Sequence, residues 1–256
     1  MDLGLKGKKA VITGGTRGIG RAIADSFAAA GVDVAICARH AEPVRAATAA
    51  LRAMGVNAFG AALDVADGVA LKSWIEQAGA SLGGIDILIA NPSAFGIGDS
   101  EDDWKKGFDV DLMGTVRAVQ AACPFLERSA AEKGDAAIVI LSSAAVAEAD
   151  YESAYGAMKA ALIHYAKGVA RRLAPKGVRT NVISPGTIYV PDGFWANTQQ
   201  HMPELYETFL KRNPMGRMGC PKEIAKVAAF LASPLASFTS GANIVVDGAF
   251  TSRVQF

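Results

Sequence analysis

Residues 8–20 read Lys-Lys-Ala-Val-Ile-Thr-Gly-Gly-Thr-Arg-Gly-Ile-Gly, an apolar run that breaks into four glycines (Gly14, Gly15, Gly18 and Gly20) before a helical pattern over 21–30. A glycine-rich turn between a strand and a helix lets the backbone approach a pyrophosphate, which then rests on the N–H groups and positive dipole of the helix start. An ordinary strand-to-helix turn needs fewer glycines, so the stretch predicts a dinucleotide site in an α/β fold. Its spacing is Gly-x-x-x-Gly-x-Gly, distinct from the Gly-x-Gly-x-x-Gly of the commonest fingerprint.

Outward from this turn the chain alternates. Apolar runs predict strands at 8–13, 32–38, 56–64, 85–90, 137–142, 178–183 and 243–247. Between them, helical periodicity predicts helices at 42–54, 67–82, 101–128, 152–174 and 222–231. Strands that read as nearly continuous apolar runs and alternate with helices of this length argue for a parallel sheet covered on both faces. The expected architecture is doubly wound α/β. No linker-like tract divides the chain, so one domain spanning 1–256 is the better count.

Composition bounds the function. A chain of 256 residues with 51% apolar content can bury a full core. Its 26 basic and 25 acidic side chains nearly cancel, so no global field draws it to nucleic acid or an anionic membrane. Cys37, Cys123 and Cys220 are odd in number and widely spaced, which fits a reducing compartment without a disulfide framework. With no bilayer-length apolar stretch at its start, a cytoplasmic, soluble protein is expected. His40, His164 and His201 form no ligand spacing with the cysteines, so no metal site is expected. No Gly-x-Ser-x-Gly elbow marks a serine hydrolase.

Further along, Ala38-Arg39 stands at the end of the second strand, where dinucleotide folds place an acid for NAD or an Arg for the 2′-phosphate of NADP. Arg17, inside the glycine turn, offers a second guanidinium, and NADP(H) is favoured over NAD(H). The alternative for Arg39 is a solvated strand-end charge, and for Asp64 a helix cap. Ligands in such sheets bind beyond the carboxyl ends of strands, where Asn91, Ser142-Ser143 and Pro185-Gly186 fall. Tyr155 and Lys159 are four apart in the 152–174 run, one turn above each other on one helix face, a proton donor beside a cation.

Together these residues resemble the classical short-chain dehydrogenase/reductase family over essentially the whole chain. Thr13 to Gly20 resembles its cofactor turn, Tyr155 and Lys159 its Tyr-x-x-x-Lys signature, and Ser143 its catalytic serine, with Ser142 competing for that position. Residues 216–248 resemble the 3-oxoacyl-acyl-carrier-protein reductase branch. The resemblance implies a Rossmann fold with a seven-stranded parallel sheet, and hydride transfer between NADP(H) and a ketone or secondary alcohol. Tyr155 would act as general acid or base. Lys159 would ease its ionisation and hold the nicotinamide ribose, and Ser143 would bind the substrate oxygen. It further implies cofactor contacts from Gly14, Thr16, Arg17, Gly18, Ile19, Gly20, Arg39, Asp64, Val65, Asn91, Tyr155, Lys159, Pro185, Gly186 and Ile188. A homotetramer or homodimer is implied as well, with the helices at 101–128 and 152–174 as interface candidates.

Three positions depart from the family pattern. Ala90-Asn91-Pro92-Ser93 replaces the usual Asn-Asn-Ala-Gly, Asp111 stands where an Asn anchors the proton relay, and Val190 stands where a Thr meets the pyrophosphate. An Asp is nearly isosteric with Asn but brings charge and loses the amide donor, so Asp111 predicts an impaired relay that Asp111→Asn would speed. Residues 187–214 lack a core pattern but carry Tyr189, Phe194, Trp195, His201, Met202, Tyr206 and Phe209, which predicts a lid over an apolar or cyclic substrate or an oxoacyl thioester. Phe95, Ala145, Val146 and Tyr151 are further wall candidates. The alternatives to turnover are an NADP-binding redox sensor and a structural protein of the same fold.

Overall fold

The computed structural model describes residues 2–148 and 152–254, so Tyr151 lies outside the described residues. Among these, seven strands form one parallel sheet in the order β3-β2-β1-β4-β5-β6-β7. The strands are β1 (Lys9–Thr13), β2 (Asp33–Ala38), β3 (Ala58–Ala62), β4 (Ile87–Ala90), β5 (Ala136–Leu141), β6 (Val178–Pro185) and β7 (Asn243–Val246). The helices are α1 (Gly18–Ala29), α2 (Ala41–Ala53), α3 (Gly68–Leu82), α4 (Glu101–Lys106), α5 (Gly114–Lys133), α6 (Ala154–Leu173), α7 (Phe194–His201), α8 (Pro203–Lys211) and α9 (Pro221–Ala232). No helix among the described residues is long and apolar enough to cross a membrane.

The pleat explains why the strands are apolar throughout. Val11, Leu88 and Ile138 face one side and pack on Leu71 and Ile75 of α3, Leu126 of α5 and Leu162 of α6. Their neighbours Ile12, Ile89 and Val139 face the other and meet Ile23 and Phe27 of α1, Leu51 of α2 and Ile224 of α9. Successive strand side chains point to opposite faces, so burial on both sides demands a continuous run.

Helix ends carry their own signals. The Asp67 carboxylate accepts from Val69 N and Ala70 N to start α3, and Gly83 closes it in a left-handed conformation at φ 71°. At α4 a reciprocal capping box joins Ser100 and Asp103, and the Ser153 hydroxyl accepts from Gly156 N to begin α6. Asp64 is therefore not the cap of α3; its carboxylate accepts from Ala66 N at 2.9 Å, one turn earlier.

One expectation needs correction. The helix read as 101–128 is continuous in direction but not in winding: α4 passes into a π-helical stretch, Gly107–Met113, before α5 begins. Residues 187–214 hold α7 and α8 in succession, the second begun by Pro203 at its first position, where proline loses no helical hydrogen bond.

Candidate active site

Strand order reverses between β1 and β4, and in open α/β sheets the ligand crevice lies outside the carboxyl ends at that point. The glycine turn follows β1 and Asn91 follows β4, so both stand there. Asn91 N donates to Thr13 Oγ1 at 2.9 Å, and Nδ2 lies 3.3 Å from both Thr13 O and Gly14 O. Asn91 is thus a strut under the turn. A Cβ on Gly20 would come within 2.2 Å of Gly14 O, and Gly14 and Gly18 take φ of 66° and 56°, so glycine is needed here on steric grounds.

The start of α1 is open. Arg17 occupies its N-cap position without a side-chain cap bond, and its first turn carries no acid. That leaves backbone N–H groups and the positive dipole end facing the crevice, a cradle suited to a pyrophosphate. Arg17 and Arg39 are both exposed, and neither has a partner among the described residues. Thr16 and Ile19 flank the turn half-buried. Val65 approaches Gly114, and the methyls of Val190 approach Gly18. Gly186 packs against Asp247, and Ile188 pairs with Gly219 in an isolated parallel bridge. The segment after β6 therefore reaches the glycine turn at Val190.

The opposite wall is the start of α6. Tyr155 is half-buried, while Lys159 is 2% exposed with its Nζ 5.7 Å from the Tyr155 ring centroid. The ammonium donates to Pro92 O at 3.0 Å and Leu141 O at 3.3 Å, and lies 2.9 Å from Asp111 Oδ1. That contact is an ion pair by distance but lacks hydrogen-bond angles, and Oδ1 has no other partner in the described structure. Asp111 Oδ2 accepts from Ala94 N at 2.8 Å. Asp111 itself, 1% exposed, sits in the π-helical stretch.

The two serines separate. Ser142 is buried and its hydroxyl donates to Lys159 O at 2.8 Å, bracing α6. Ser143 is half-buried, and its Oγ accepts from Ala145 N at 3.1 Å. An acceptor's own proton is unused, so the Ser143 O–H is available to a further partner.

An aromatic file leads away from Tyr155. Phe95 lies 5.3 Å from the Tyr155 ring and 5.3 Å from Phe194, Phe194 meets Trp195 at 5.0 Å, and Trp195 meets Phe209 at 4.9 Å. Phe209 stacks on Phe250 at 6.1 Å, and Arg212 covers both rings while pairing with Glu148 at 3.1 Å. Phe95 is held at φ 57°, a left-handed conformation rare for an aromatic residue. Tyr189 meets Tyr206 apart from this file, whereas His201 and Met202 are exposed.

Phe250, Arg212 and Glu148 carried no pattern in the sequence, because their meeting depends on three distant loops. Pro92, singled out there as a departure, contributes its carbonyl. Elsewhere, burial pushes the Cys37 thiol up to about 12, so this cysteine below the glycine turn is not a nucleophile. A cavity of 480 Å³ beside Asp86 and Lys133 lies at the amino ends of β1 and β4, on the wrong side of the sheet for this site.

A family profile described as enoyl-(acyl carrier protein) reductase matches residues 14–251. Isoepoxydon dehydrogenase patN of Penicillium expansum is 39% identical over 262 residues, spanning 100% of this chain and 99% of the fungal one. The 3-oxoacyl-[acyl-carrier-protein] reductase FabG of Staphylococcus aureus is 34% identical over 247 residues, spanning 94% and 97%. L-Sorbose reductase from Gluconobacter frateurii, solved with NADPH and L-sorbose, matches with a TM-score of 0.90 at 29% identity, covering 99% of this chain and 100% of that one. The oxoacyl reductase branch is one of several that this chain resembles.

Proposed function

The chain belongs to the short-chain dehydrogenase/reductase family, an oxidoreductase that interconverts alcohol and carbonyl, and we propose that it works with NADP(H) on an apolar or cyclic ketone or alcohol. The observation that carries this reading is one run of contacts. Gly14 bonds Asn91, and Pro92, next in the chain, accepts from Lys159, which sits over Tyr155. The phosphate cradle and the proton donor are therefore fixed to each other through two adjacent residues.

NADP(H), when bound, supplies or receives the hydride. The protein's share is proton transfer and positioning. Tyr155 gives its phenolic proton to the carbonyl oxygen in reduction and takes it back in oxidation. The Ser143 hydroxyl donates to that oxygen as negative charge gathers on it. Lys159 stabilises the tyrosinate left behind. Arg17 and Arg39, exposed and without partners among the described residues, support binding of the 2′-phosphate, and Asp64, Val65, Pro185, Gly186 and Ile188 form the rest of the cofactor rim. Helices α7 and α8 make the substrate lid, whose aromatic file favours an apolar or flat substrate. An oxoacyl thioester is the other substrate class to try. The protein is cytoplasmic on this reading, and assembles as a homotetramer or homodimer.

The test pairs binding with turnover. Fluorescence titration with NADPH and NADH comes first, then a panel of cyclic ketones, L-sorbose, isoepoxydon and an oxoacyl thioester. Expected are tighter NADPH binding and turnover that Tyr155→Phe abolishes while NADPH still binds. Saturable NADPH binding with no turnover of any panel member would instead favour the redox-sensor alternative.

A further inference from the structure

Among the described residues the Asp111 carboxylate has two polar partners, and both are hydrogen donors. The Lys159 ammonium stands 2.9 Å from Oδ1 and the Ala94 N–H points to Oδ2 at 2.8 Å. A carboxylate presents acceptors on both oxygens, whereas a carboxamide presents one acceptor and one donor group. Either flip of an Asn here sets its NH₂ against the Ala94 N–H or against the ammonium. The carboxylate and the ammonium are enclosed, Asp111 and Lys159 being 1% and 2% exposed, while Ala94 is half-buried, so water cannot take up a mismatch at the ammonium and the lost pairing there is felt in full.

The segment reached through Ala94 packs on Tyr155. Pro92 O accepts from Lys159, Ala94 N donates to Asp111, and Gly96 O accepts from Tyr155 N at 3.0 Å. Between the last two anchors stands Phe95, at φ 57° and 5.3 Å from the Tyr155 ring. A strained residue persists only where its surroundings over-determine it. Here the flanking anchor is Asp111.

We infer that Asp111 is a positioning residue that ties Lys159 to the 92–98 loop, its Oδ1 paired by charge with the ammonium and its Oδ2 accepting from Ala94 N, and that this pairing of a cation with an N–H donor is why a carboxylate occupies the position. The expectation that Asp111→Asn speeds turnover is replaced by its opposite. Only the kinetic arm of the test rests on the hydride-transfer reading; the tie itself holds whether or not the protein turns over.

The test is a double-mutant cycle on the full chain with Asp111→Asn, Lys159→Met and both together, read by thermal unfolding and by amide exchange of the peptide holding Ala94. Asp111→Asn should exchange at Ala94 roughly tenfold faster or more, with β1 and β5 peptides unchanged. Lys159→Met should melt lower because it strands a buried carboxylate. The double variant should recover: without the ammonium, an Asn can turn its oxygen to Ala94, so it should melt above either single variant and regain Ala94 protection. Additive losses, or an Ala94 amide indifferent to Asp111→Asn, would overturn the inference; if Asp111→Asn alone does not fold, the melting order of the double variant against Lys159→Met decides. For any ketone that the parent reduces, Asp111→Asn should lower kcat and raise KM together, since it loosens both the cation and the loop. A loss of melting temperature with both constants intact would leave Asp111 only a stabilising residue and would also overturn the inference.

Discussion

Adding one methyl group at Gly20 probes the crevice directly. Its Cβ would stand 2.2 Å from Gly14 O, 2.6 Å from Asn91 Nδ2 and 2.9 Å from Gly14 C, where ordinary contact begins at 3.4 Å. The opening needed against Gly14 O is therefore 3.4 − 2.2 = 1.2 Å. Neither side yields freely, since Gly14 N bonds Cys37 O at 2.9 Å and Asn91 N bonds Thr13 Oγ1 at 2.9 Å. Retreat of α1 would unpack Ile23, Ala24 and Phe27, all fully buried. Overpacking of this kind costs about 1–3 kcal/mol, which in a chain of this length lowers Tm by about 2–12 °C. The opened turn also misaims the N–H groups of the α1 start. Gly20→Ala should therefore weaken NADPH by roughly tenfold or more, about 1.4 kcal/mol. Differential scanning fluorimetry and NADPH fluorescence titration measure both. The control is Gly168→Ala on α6, an exposed position where the new Cβ meets nothing within 4 Å; it should gain about 1 kcal/mol and bind NADPH as before. If Gly20→Ala binds NADPH with the parent's Kd, the glycine turn is not the cofactor cradle.

The adjacent serines should part company: Ser143→Ala lowers kcat by roughly 10²-fold with Tm held, while Ser142→Ala chiefly lowers Tm, by removing the bond to Lys159 O. Steady-state kinetics beside a melt of each variant would show equal behaviour if the assignment is mistaken. Arg39→Asp should weaken NADPH against NADH by roughly 10- to 100-fold, the scale of a lost hydrogen bond to a charged group; a ratio of titrated Kd values that does not move removes Arg39 from the phosphate site. At the other end of the sheet, Asp86 accepts from Lys9 N at 2.8 Å, Lys133 Nζ at 2.7 Å and the Ser129 hydroxyl. Burial raises its carboxyl pKa, but the bonds from Lys133 and Ser129 and the Lys133 charge outweigh that and hold it below the usual carboxylate range. Because the folded pKa is the lower one, its stabilisation is present above the unfolded pKa and fades as pH falls through the folded value. Asp86→Ala should therefore cost about 1–3 kcal/mol near neutral pH, through the Ser129 hydroxyl and Lys9 N–H it leaves unpaired beside a half-exposed Lys133, and less in acid, and urea unfolding across pH reads the difference; a gap that widens in acid contradicts the sign.

The sheet was legible because its strands are buried on both faces, which leaves an apolar run in the sequence that a half-exposed strand would not. Tyr155 and Lys159 were legible because a helix fixes the relation of residues four apart. Ser142 and Ser143 were not separable, since identical side chains differ here only in which way the chain turns after β5: one to the back of α6, the other to the cap of a 3₁₀ turn over Ala144–Ala147. The helices in 187–214 escaped because their apolar side chains pack on one another and on Phe95 and Phe250 rather than on the main core. Asp111 was noticed as a departure, but its chemistry depends on the amide of Ala94, a donor every non-proline residue carries and no side-chain pattern marks.

The π-helical stretch sets the rotation at which Asp111 enters the site. A π turn holds more residues than an α turn, so Gly107–Met113 behaves like an α-helix into which a residue has been inserted. Close packing bounds the insertion at both ends, with Gly107 against Met158 and Gly114 against Val65. Deleting one residue between those glycines would let α4 and α5 fuse into a regular rod with a full set of i to i−4 bonds. It would also rotate Asp111 away from Lys159 and Ala94. A single-codon deletion therefore separates a straighter helix from an assembled site.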